Sequence, residues 1–243
     1  IGVKRRQLLL LPSAQVDSMS LQAYEQVKQE SSSKGTLDKA TDTLKRVQKI
    51  AQRLTPQTQV FRPEAPQWAW EVHVITSSEL NAFCMPGGKI IFYTGLIDEL
   101  KLSDGEIAAV MGHEIAHALR EHGRERMSEQ LIEKFGIGAI VESGKIDPKY
   151  AVLASGLTTL AVTLPHSRMH EKEADEIGLE LMARAGYNPH KAVTLWEKMA
   201  KFSGGNKPPE IFSTHPADKT RMRDLEALIP KVMPLYKDCN CDD

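Results

Sequence analysis

The spacing of apolar residues predicts two helices near the start of the chain. Residues 15–30 and 37–54 both place apolar side chains three or four positions apart, as one face of a helix requires. In the second stretch these residues are Leu37, Ala40, Leu44, Val47, Ile50, Ala51 and Leu54. Residues 31–35 have the composition of a loop, and residues 55–67, with three prolines, are predicted to form a connector.

The pattern then changes from helical spacing to alternation. Residues 71–75 alternate as a strand, and residues 89–94 form a second strand after a turn at residues 86–88. From residue 103 onwards helical spacing returns, and it ends in a helix over residues 216–229. The side chains that this last helix is expected to bury are Met222, Leu225, Leu228 and Ile229. These patterns predict an α+β fold that is mainly helical, with a small sheet.

Composition narrows the class of protein. The chain has 243 residues with 31 basic and 32 acidic side chains, giving a net charge of −1. This balance, with only 6% aromatic residues, argues against a nucleic-acid partner, which requires a basic surface or stacking rings. Three cysteines are too few for a disulfide scaffold. Cys239 and Cys241 are too close for an easy bridge with each other, which leaves a bridge to Cys84 or to another chain, or free thiols, as alternatives. Cysteine usage therefore leaves the cellular compartment open.

The segment from His113 to His117 reads His-Glu-Ile-Ala-His and carries the main chemical signal. Residues four apart lie on one helix face, so the two imidazoles can bind one metal ion, with Glu114 beside them as a general base. Ser103, followed by Glu106, predicts the start of this helix as a capping box. The alternative interpretation is a charged surface helix with two solvated histidines.

A catalytic zinc ion needs a third protein ligand, and the candidates lie in residues 167–175. Glu171 and Asp175 share a helix face, so one carboxylate can bind the metal while the other accepts a hydrogen bond from a ligand histidine. Spacing alone does not choose between Glu171, Glu173 and His170. We expect Glu173 to point away from that face and to be solvated.

His122 follows His117 by five residues, which places it off the ligand face. It is expected to be solvated, or else to contact a ligand histidine from behind. No role is predicted for His73, His166, His170 or His190, and the three tryptophans are expected to be packing residues.

Four motifs occur together in an order that resembles peptidase family M48. They are the His113–His117 segment, the run Ser167-Arg168 to Glu171-Lys172-Glu173-Ala174-Asp175, the run Ser213-Thr214-His215-Pro216, and the segment Asn81 to Gly88 followed by Thr94-Gly95-Leu96-Ile97. The resemblance covers about residues 70 to 228. The BepA/LoiP-like and OMA1-like branch fits best, because no long membrane segments are present.

The resemblance implies one Zn²⁺ per chain, with His113, His117 and Glu171 as its ligands. Asp175 would then support a ligand histidine, and Glu114 would take a proton from water and deliver it to the leaving amine.

The same family assigns roles to two residues near the C-terminus. His215 would stabilise the transition state or act as a fourth zinc ligand that blocks catalysis, and Arg221 would be an associated active-site residue. The alternative for His215 is an ordinary loop histidine before a helix.

The resemblance also places an extended substrate along an edge strand, where the peptide backbone can pair with the sheet. The residues of this segment are Asn81, Ala82, Phe83, Cys84, Met85, Pro86, Gly87 and Gly88. The alternative is an ordinary turn between two strands.

Residues 150–164 carry no charge, and fifteen residues fall short of the ~20 that span a bilayer. A buried core helix is expected there, with a helix covering the cleft or membrane association as alternatives, and residues 201–209 are expected to form a mobile loop.

The fold implied is a mainly helical zincin-type (gluzincin) metalloprotease domain whose small β-sheet has its edge strand along the active-site cleft. We expect a single domain over residues 1–243, made of a helical part (1–66), a catalytic core (67–230) and a tail (231–243). The function implied is a zinc-dependent endopeptidase in quality control or maturation of envelope proteins. The alternative is a chaperone-like or scaffold protein with a latent zinc site.

The expected partners are polypeptides, in particular unfolded or misassembled envelope proteins. The bacterial periplasm is the expected location, free or membrane-attached through an N-terminal anchor outside this sequence, with the mitochondrion as the alternative. Residues 4–11, basic and then apolar, are too short for a signal peptide and are expected to form a strand or to pack on the surface.

Overall fold

The computed structural model describes residues 5–142, 166–203, 211, 214–215 and 219–238. In chain order the described helices and strands are α1 (Ser13–Ser33), α2 (Thr41–Leu54), β1 (Glu71–Ile75), β2 (Ala82–Met85), β3 (Lys89–Tyr93), α3 (Thr94–Glu99), α4 (Asp104–Leu119), α5 (His122–Glu142), α6 (Arg168–Arg184), α7 (His190–Ser203) and α8 (Lys219–Val232). The predicted α+β architecture is confirmed. No helix within these ranges has the length and hydrophobicity needed to cross a membrane.

Several predicted segments lie outside the described residues or have different ends in the structure. The uncharged run 150–164, residues 204–209 of the expected loop, and both Cys239 and Cys241 lie outside the described residues. The expected loop also began too early, because Lys201 to Ser203 continue α7. The connector over residues 55–67 contains two short 3-10 helices, Thr55–Val60 and Ala65–Gln67.

The end of α1 and the start of α2 differ from the prediction. Helix α1 continues through the serines expected in a loop and ends at Ser33, and Gly35, whose φ is +67°, allows a Schellman cap there. The cap is closed by hydrogen bonds from Gly35 N to Ser32 O (2.9 Å) and from Thr36 N to Ser31 O (2.9 Å). Leu37, predicted to be helical, instead bridges to Ile75, so α2 begins only at Thr41.

The sheet has the strand order β1-β3-β2, which makes β2 an edge strand. Strand β3 pairs in parallel with β1 and antiparallel with β2. The turn between β2 and β3 is closed by a hydrogen bond from Gly88 N to Met85 O (3.2 Å), and a φ of +79° at Gly87 explains the glycine there. Strand β3 ends at Tyr93, one residue before the predicted end, because Thr94 starts α3 and its hydroxyl donates to Ser77 O.

Helix α4 begins with the predicted capping box. The Ser103 hydroxyl accepts from Glu106 N (3.3 Å), and the Glu106 carboxylate accepts from Ser103 N (2.8 Å). Every residue from Gly105 to Leu119 is buried, so α4 is the central helix of the fold. The alternative of a solvated surface helix for the His-Glu-Ile-Ala-His segment is therefore wrong.

Two glycines set the close approach of α4 and α6. A Cβ added at Gly178 would lie 2.8 Å from the backbone nitrogen of His113, and one at Gly112 would lie 2.9 Å from Gly178 O. Real Cβ atoms do not approach backbone atoms so closely, so only glycine fits at both positions. This crossing lets residues near the start of α6 reach His113.

Replacing Gly178 with Ala is expected to destabilise the fold by about 1–3 kcal/mol, because the two backbones must separate to admit the methyl group. Urea unfolding followed by circular dichroism measures this free energy. Gly123→Ala is the matched control, because no atom lies within 4 Å of its added Cβ. Equal stability of the two variants would contradict the proposed role of the close crossing.

Candidate metal centre

Four buried side chains converge where α4 crosses α6. His113 and His117 come from α4, Glu171 from the first turn of α6, and His215 from the segment before α8, and one ligand atom of each lies within 4.8 Å of the others. His113 Nε2 is 3.0 Å from His117 Nε2, 3.2 Å from His215 Nδ1 and 3.3 Å from Glu171 Oε2. Glu171 Oε1 lies 3.4 Å from His117 Nε2 and 3.0 Å from His215 Nδ1.

These spacings fit a single zinc-sized ion. Two ligand atoms, each ~2.0–2.1 Å from a tetrahedral zinc ion, are ~3.3–3.4 Å apart. Nitrogen and carboxylate oxygen donors are also the ones that zinc takes in proteins. Burial of converging imidazole nitrogens is costly unless a proton or a cation lies between them. The donor set therefore can hold a metal ion.

Burial and neighbouring charges together set the protonation of the clustered side chains. Burial disfavours the charged form of His113, but the nearby Glu171 and Asp175 carboxylates outweigh it and raise its pKa to about 9. Burial lowers the pKa of His117 well below its ordinary value. Burial also disfavours charge on Glu171, yet His215, His113 and Arg221 hold its pKa well below the usual range. The carboxylate is thus kept ionised, as a metal ligand must be.

Glu114 projects from α4 beside the four candidate ligands. Its Oε1 atom is buried and accepts no hydrogen bond from the described residues, and His215 Nε2 lies 3.4 Å away. Burial raises the pKa of this carboxyl group. A buried carboxyl oxygen with free acceptor capacity can receive a proton from water.

Asp175 and Arg221 contact the candidate ligands, with Asp175 at His113 Nδ1, the nitrogen opposite the one that faces the cluster. His113 Nδ1 is 3.0 Å from Asp175 Oδ1, and the guanidinium of Arg221 donates to both oxygens of Asp175 (2.6 and 2.7 Å). Nη1 of Arg221 lies 2.6 Å from Glu171 Oε2. The guanidinium also lies 3.8 Å over the ring of Trp196. Trp196, predicted only to pack, therefore also makes a cation–π contact with Arg221.

His122 and Glu173 are both buried, and only for Glu173 is this contrary to expectation. His122 is fully buried, with Nδ1 2.8 Å from His117 Nδ1 and Nε2 3.0 Å from Glu173 Oε2. Glu173 is buried because Arg5 and Arg120 supply positive charge, with Arg5 Nε 2.6 Å and Arg120 Nε 3.2 Å from its oxygens. Burial disfavours the charged form of Glu173, but the hydrogen bond from His122 and the contacts with Arg5 and Arg120 lower its pKa to about 2. Of the two readings of His122, contact with a ligand histidine from behind is the correct one.

Two further histidines lie in the same region. The His166 ring is centred 3.8 Å from that of His117, and His170 Nε2 lies 3.1 Å from Glu125 Oε2. Neither had a predicted role, because their partners are distant in sequence. Each belongs to a second or third group of potential metal ligands, His117–His122–His166 or His122–Glu125–His170.

The predicted substrate segment lies next to the cluster. Its residues 81–86 line a cavity together with Glu114, His117 and His215. Gly87 and Gly88 form the turn and are not among the lining residues. The side chains of Ala82, Cys84 and Met85 are buried, so the strand is less exposed than expected. The segment contains a turn between two strands and also borders the site, and its role in binding substrate stays a prediction.

Comparison with known proteins now decides the family. The family model described as peptidase family M48 matches residues 42–229. This chain belongs to peptidase family M48. It is 42% identical over 157 residues to the mitochondrial metalloendopeptidase OMA1 of Arabidopsis thaliana, an alignment that covers 65% of this chain and 31% of that protein.

Two other members of the family give a similar result. The mitochondrial metalloendopeptidase OMA1 of Schizosaccharomyces pombe is 35% identical over 173 residues, covering 71% of this chain and 50% of that protein. The beta-barrel assembly-enhancing protease of Escherichia coli K12 is 31% identical over 177 residues, covering 67% of this chain and 35% of that protein. The M48 chain described here thus spans half or less of the length of these relatives.

Proposed function

We propose that this chain is a zinc-dependent endopeptidase. The observation that carries the proposal is the buried cluster of His113, His117 and Glu171, whose ligand atoms are 3.0–3.4 Å apart, with the Glu114 carboxyl group beside it. Membership of peptidase family M48 and the metalloendopeptidase names of its relatives support the same reaction. One zinc ion per chain would be held by these three ligands, with His215 in reach of a fourth position.

The chain's own residues account for the proton transfers of peptide hydrolysis. A bound zinc ion supplies Lewis acidity toward water and the scissile carbonyl. Glu114 accepts the proton of the attacking water and delivers it to the departing amine, so the base is regenerated in each cycle. Asp175 orients His113, and Arg221 holds Asp175 and helps to keep Glu171 ionised. Arg221 acts from behind the ligands and is proposed as a positioning residue.

The edge strand β2 is proposed to bind the substrate. An extended peptide can pair with the backbone of an edge strand, and β2 borders the cavity that contains Glu114 and His215. Backbone pairing accepts many sequences, so the proposed substrates are unfolded or misassembled polypeptides. The names of the relatives favour a mitochondrial or bacterial-envelope setting for them.

Hydrolysis of unfolded casein tests the proposal against a scaffold with a latent zinc site. We expect cleavage by the metal-loaded protein, loss of cleavage with a chelator, and recovery when zinc is added back. A protein that binds zinc stoichiometrically yet leaves casein intact under all conditions would contradict the endopeptidase and favour the scaffold.

His215 is proposed to restrain the resting enzyme. Its Nδ1 lies 3.2 Å from His113 Nε2 and 3.0 Å from Glu171 Oε1, so it can occupy the position that water needs. His215→Ala is therefore expected to raise basal peptide cleavage several-fold, measured with a quenched fluorescent peptide at saturating zinc. A fall in cleavage would contradict this latch and would instead assign His215 to transition-state stabilisation.

A further inference from the structure

The two histidines of α4 are supported from behind in different ways. His113 Nδ1 contacts the Asp175 carboxylate directly at 3.0 Å. His117 has no carboxylate at its Nδ1 among the described residues; the atom there is Nδ1 of His122, at 2.8 Å. The carboxylate of Glu173 lies one step further on, 3.0 Å from His122 Nε2. An imidazole has thus been inserted between the second ligand and its carboxylate.

The direction of the hydrogen bonds follows from geometry. His117 Nε2 faces the ligand cluster, 3.0 Å from His113 Nε2, so its Nδ1 is the nitrogen that carries hydrogen when Nε2 binds a metal ion. That N–H can donate only if His122 Nδ1 is an acceptor. His122 must then carry its hydrogen on Nε2, where Glu173 Oε2 accepts it. With this one set of tautomers, the hydrogen bonds from His117 to His122 and from His122 to Glu173 each have a donor and an acceptor.

The Glu173 carboxylate, which ends this series of hydrogen bonds, is held by two arginines. Arg5 Nε donates to Glu173 Oε1 at 2.6 Å, and Arg120 Nε donates to Oε2 at 3.2 Å. The side chain of Glu173 is 7% exposed, whereas those of Arg5 and Arg120 are 23% and 20% exposed. The two cations therefore offset the cost of burying this carboxylate, and its position fixes that of His122.

The neighbouring acidic group does not favour a second metal ion here. Arg5 also reaches Glu125, with Nη2 2.7 Å from Oε2, and His170 Nε2 lies 3.1 Å from the same oxygen. Gln7 donates to that oxygen at 2.8 Å as well. Glu125 and His170 thus already share a hydrogen bond, both nitrogens of His122 are engaged by His117 and Glu173, and the Arg5 guanidinium balances the Glu125 charge. A hydrogen-bond network accounts for this region better than another cation site.

We propose that His122 and Glu173 are positioning residues for the metal ligand His117, with Arg5 and Arg120 fixing the carboxylate. This rests on the proposed metal site and deepens it. Outer partners of ligand histidines fix the tautomer and the ring orientation, and their loss weakens metal binding by about 10–100-fold. It also gives residues 5–11 a function, because this segment bonds to α5 and its Arg5 holds Glu173, which lies 168 positions further along the chain.

The test compares metal affinity with fold stability in full-length variants. Zinc Kd is measured by competition with a chromophoric chelator, and the Co²⁺-loaded protein is examined by visible absorption. We expect Glu173→Ala and His122→Phe each to weaken zinc binding about 10–100-fold and to alter the Co²⁺ bands. Stoichiometry at saturating zinc should remain one per chain. Glu173→Gln keeps an acceptor oxygen for His122 but loses the charge, so it is expected to have a smaller effect.

Glu180→Gln is the matched control, because Glu180 is a buried carboxylate on the same helix that pairs with Arg184. It should leave both Kd and the Co²⁺ spectrum unchanged. If Glu173→Ala fails to fold, Arg5→Met removes one anchor from a partly exposed site and should still weaken binding. The proposal is overturned if folded variants bind zinc within twofold of wild type, with an unchanged Co²⁺ spectrum. If the wild-type protein binds no metal, the proposed metal site itself is wrong.

Discussion

Replacing Glu114 with Gln is expected to lower kcat for peptide hydrolysis by about 10²–10⁴-fold while zinc content stays at the wild-type level. The amide has nearly the same shape as the carboxylate but cannot accept a proton from water. The exchange should not harm the fold, because Glu114 Oε1 accepts no hydrogen bond from the described residues and burial already disfavours its charge. Steady-state kinetics and elemental analysis on the same preparation measure both quantities.

The control for this prediction is Glu180→Gln, the same exchange at a buried carboxyl group that pairs with Arg184 on α6. Its kcat should equal that of the wild type. A Glu114→Gln variant that cleaves peptide at close to the wild-type rate would remove Glu114 from the role of general base.

The second large effect is expected at Glu171. Glu171→Ala should reduce bound zinc from one ion per chain to almost none, and peptide hydrolysis should disappear with it. The loss must exceed the ~10–100-fold weakening expected of an outer partner, because a ligand oxygen is removed rather than a support. It also takes a carboxylate from His215 Nδ1 and Arg221 Nη1, which lie 3.0 Å and 2.6 Å from it.

Glu173→Ala provides the contrast, since Glu173 is on the same helix two residues later and is similarly buried. At saturating zinc this variant should still bind one ion, whereas Glu171→Ala should not. Full zinc retention in Glu171→Ala, by elemental analysis after dialysis, would show that the third ligand is another residue.

Local sequence rules were enough for the elements that hold the first two candidate ligands. The capping box at Ser103 and Glu106 and the four-residue spacing of His113 and His117 are both set within one helix, so they can be read from sequence. The strand at Glu71–Ile75 is equally local. The start of α2 was missed because a long-range bridge between Leu37 and Ile75 competes with helical propensity.

The outer part of the site depends on contacts that the sequence does not display. Spacing alone did not choose between Glu171 and Glu173, and the crossing of α4 and α6 at Gly178 brings Glu171 to His113 and Glu173 to His122. Arg5, which neutralises Glu173, is 168 residues away. A buried charge is predictable only when its partner is known, so Glu173 was expected in solvent.

The central claim is that His113, His117 and Glu171 hold one zinc ion beside Glu114. Anomalous diffraction at the zinc edge, from crystals of the zinc-loaded Glu114→Gln variant, tests it most directly. The account predicts one peak per chain, ~2.0–2.1 Å from a nitrogen of each histidine and from an oxygen of Glu171. A zinc peak at the His122–Glu125–His170 group in place of this one, or a peak at the two histidines without Glu171, would contradict it.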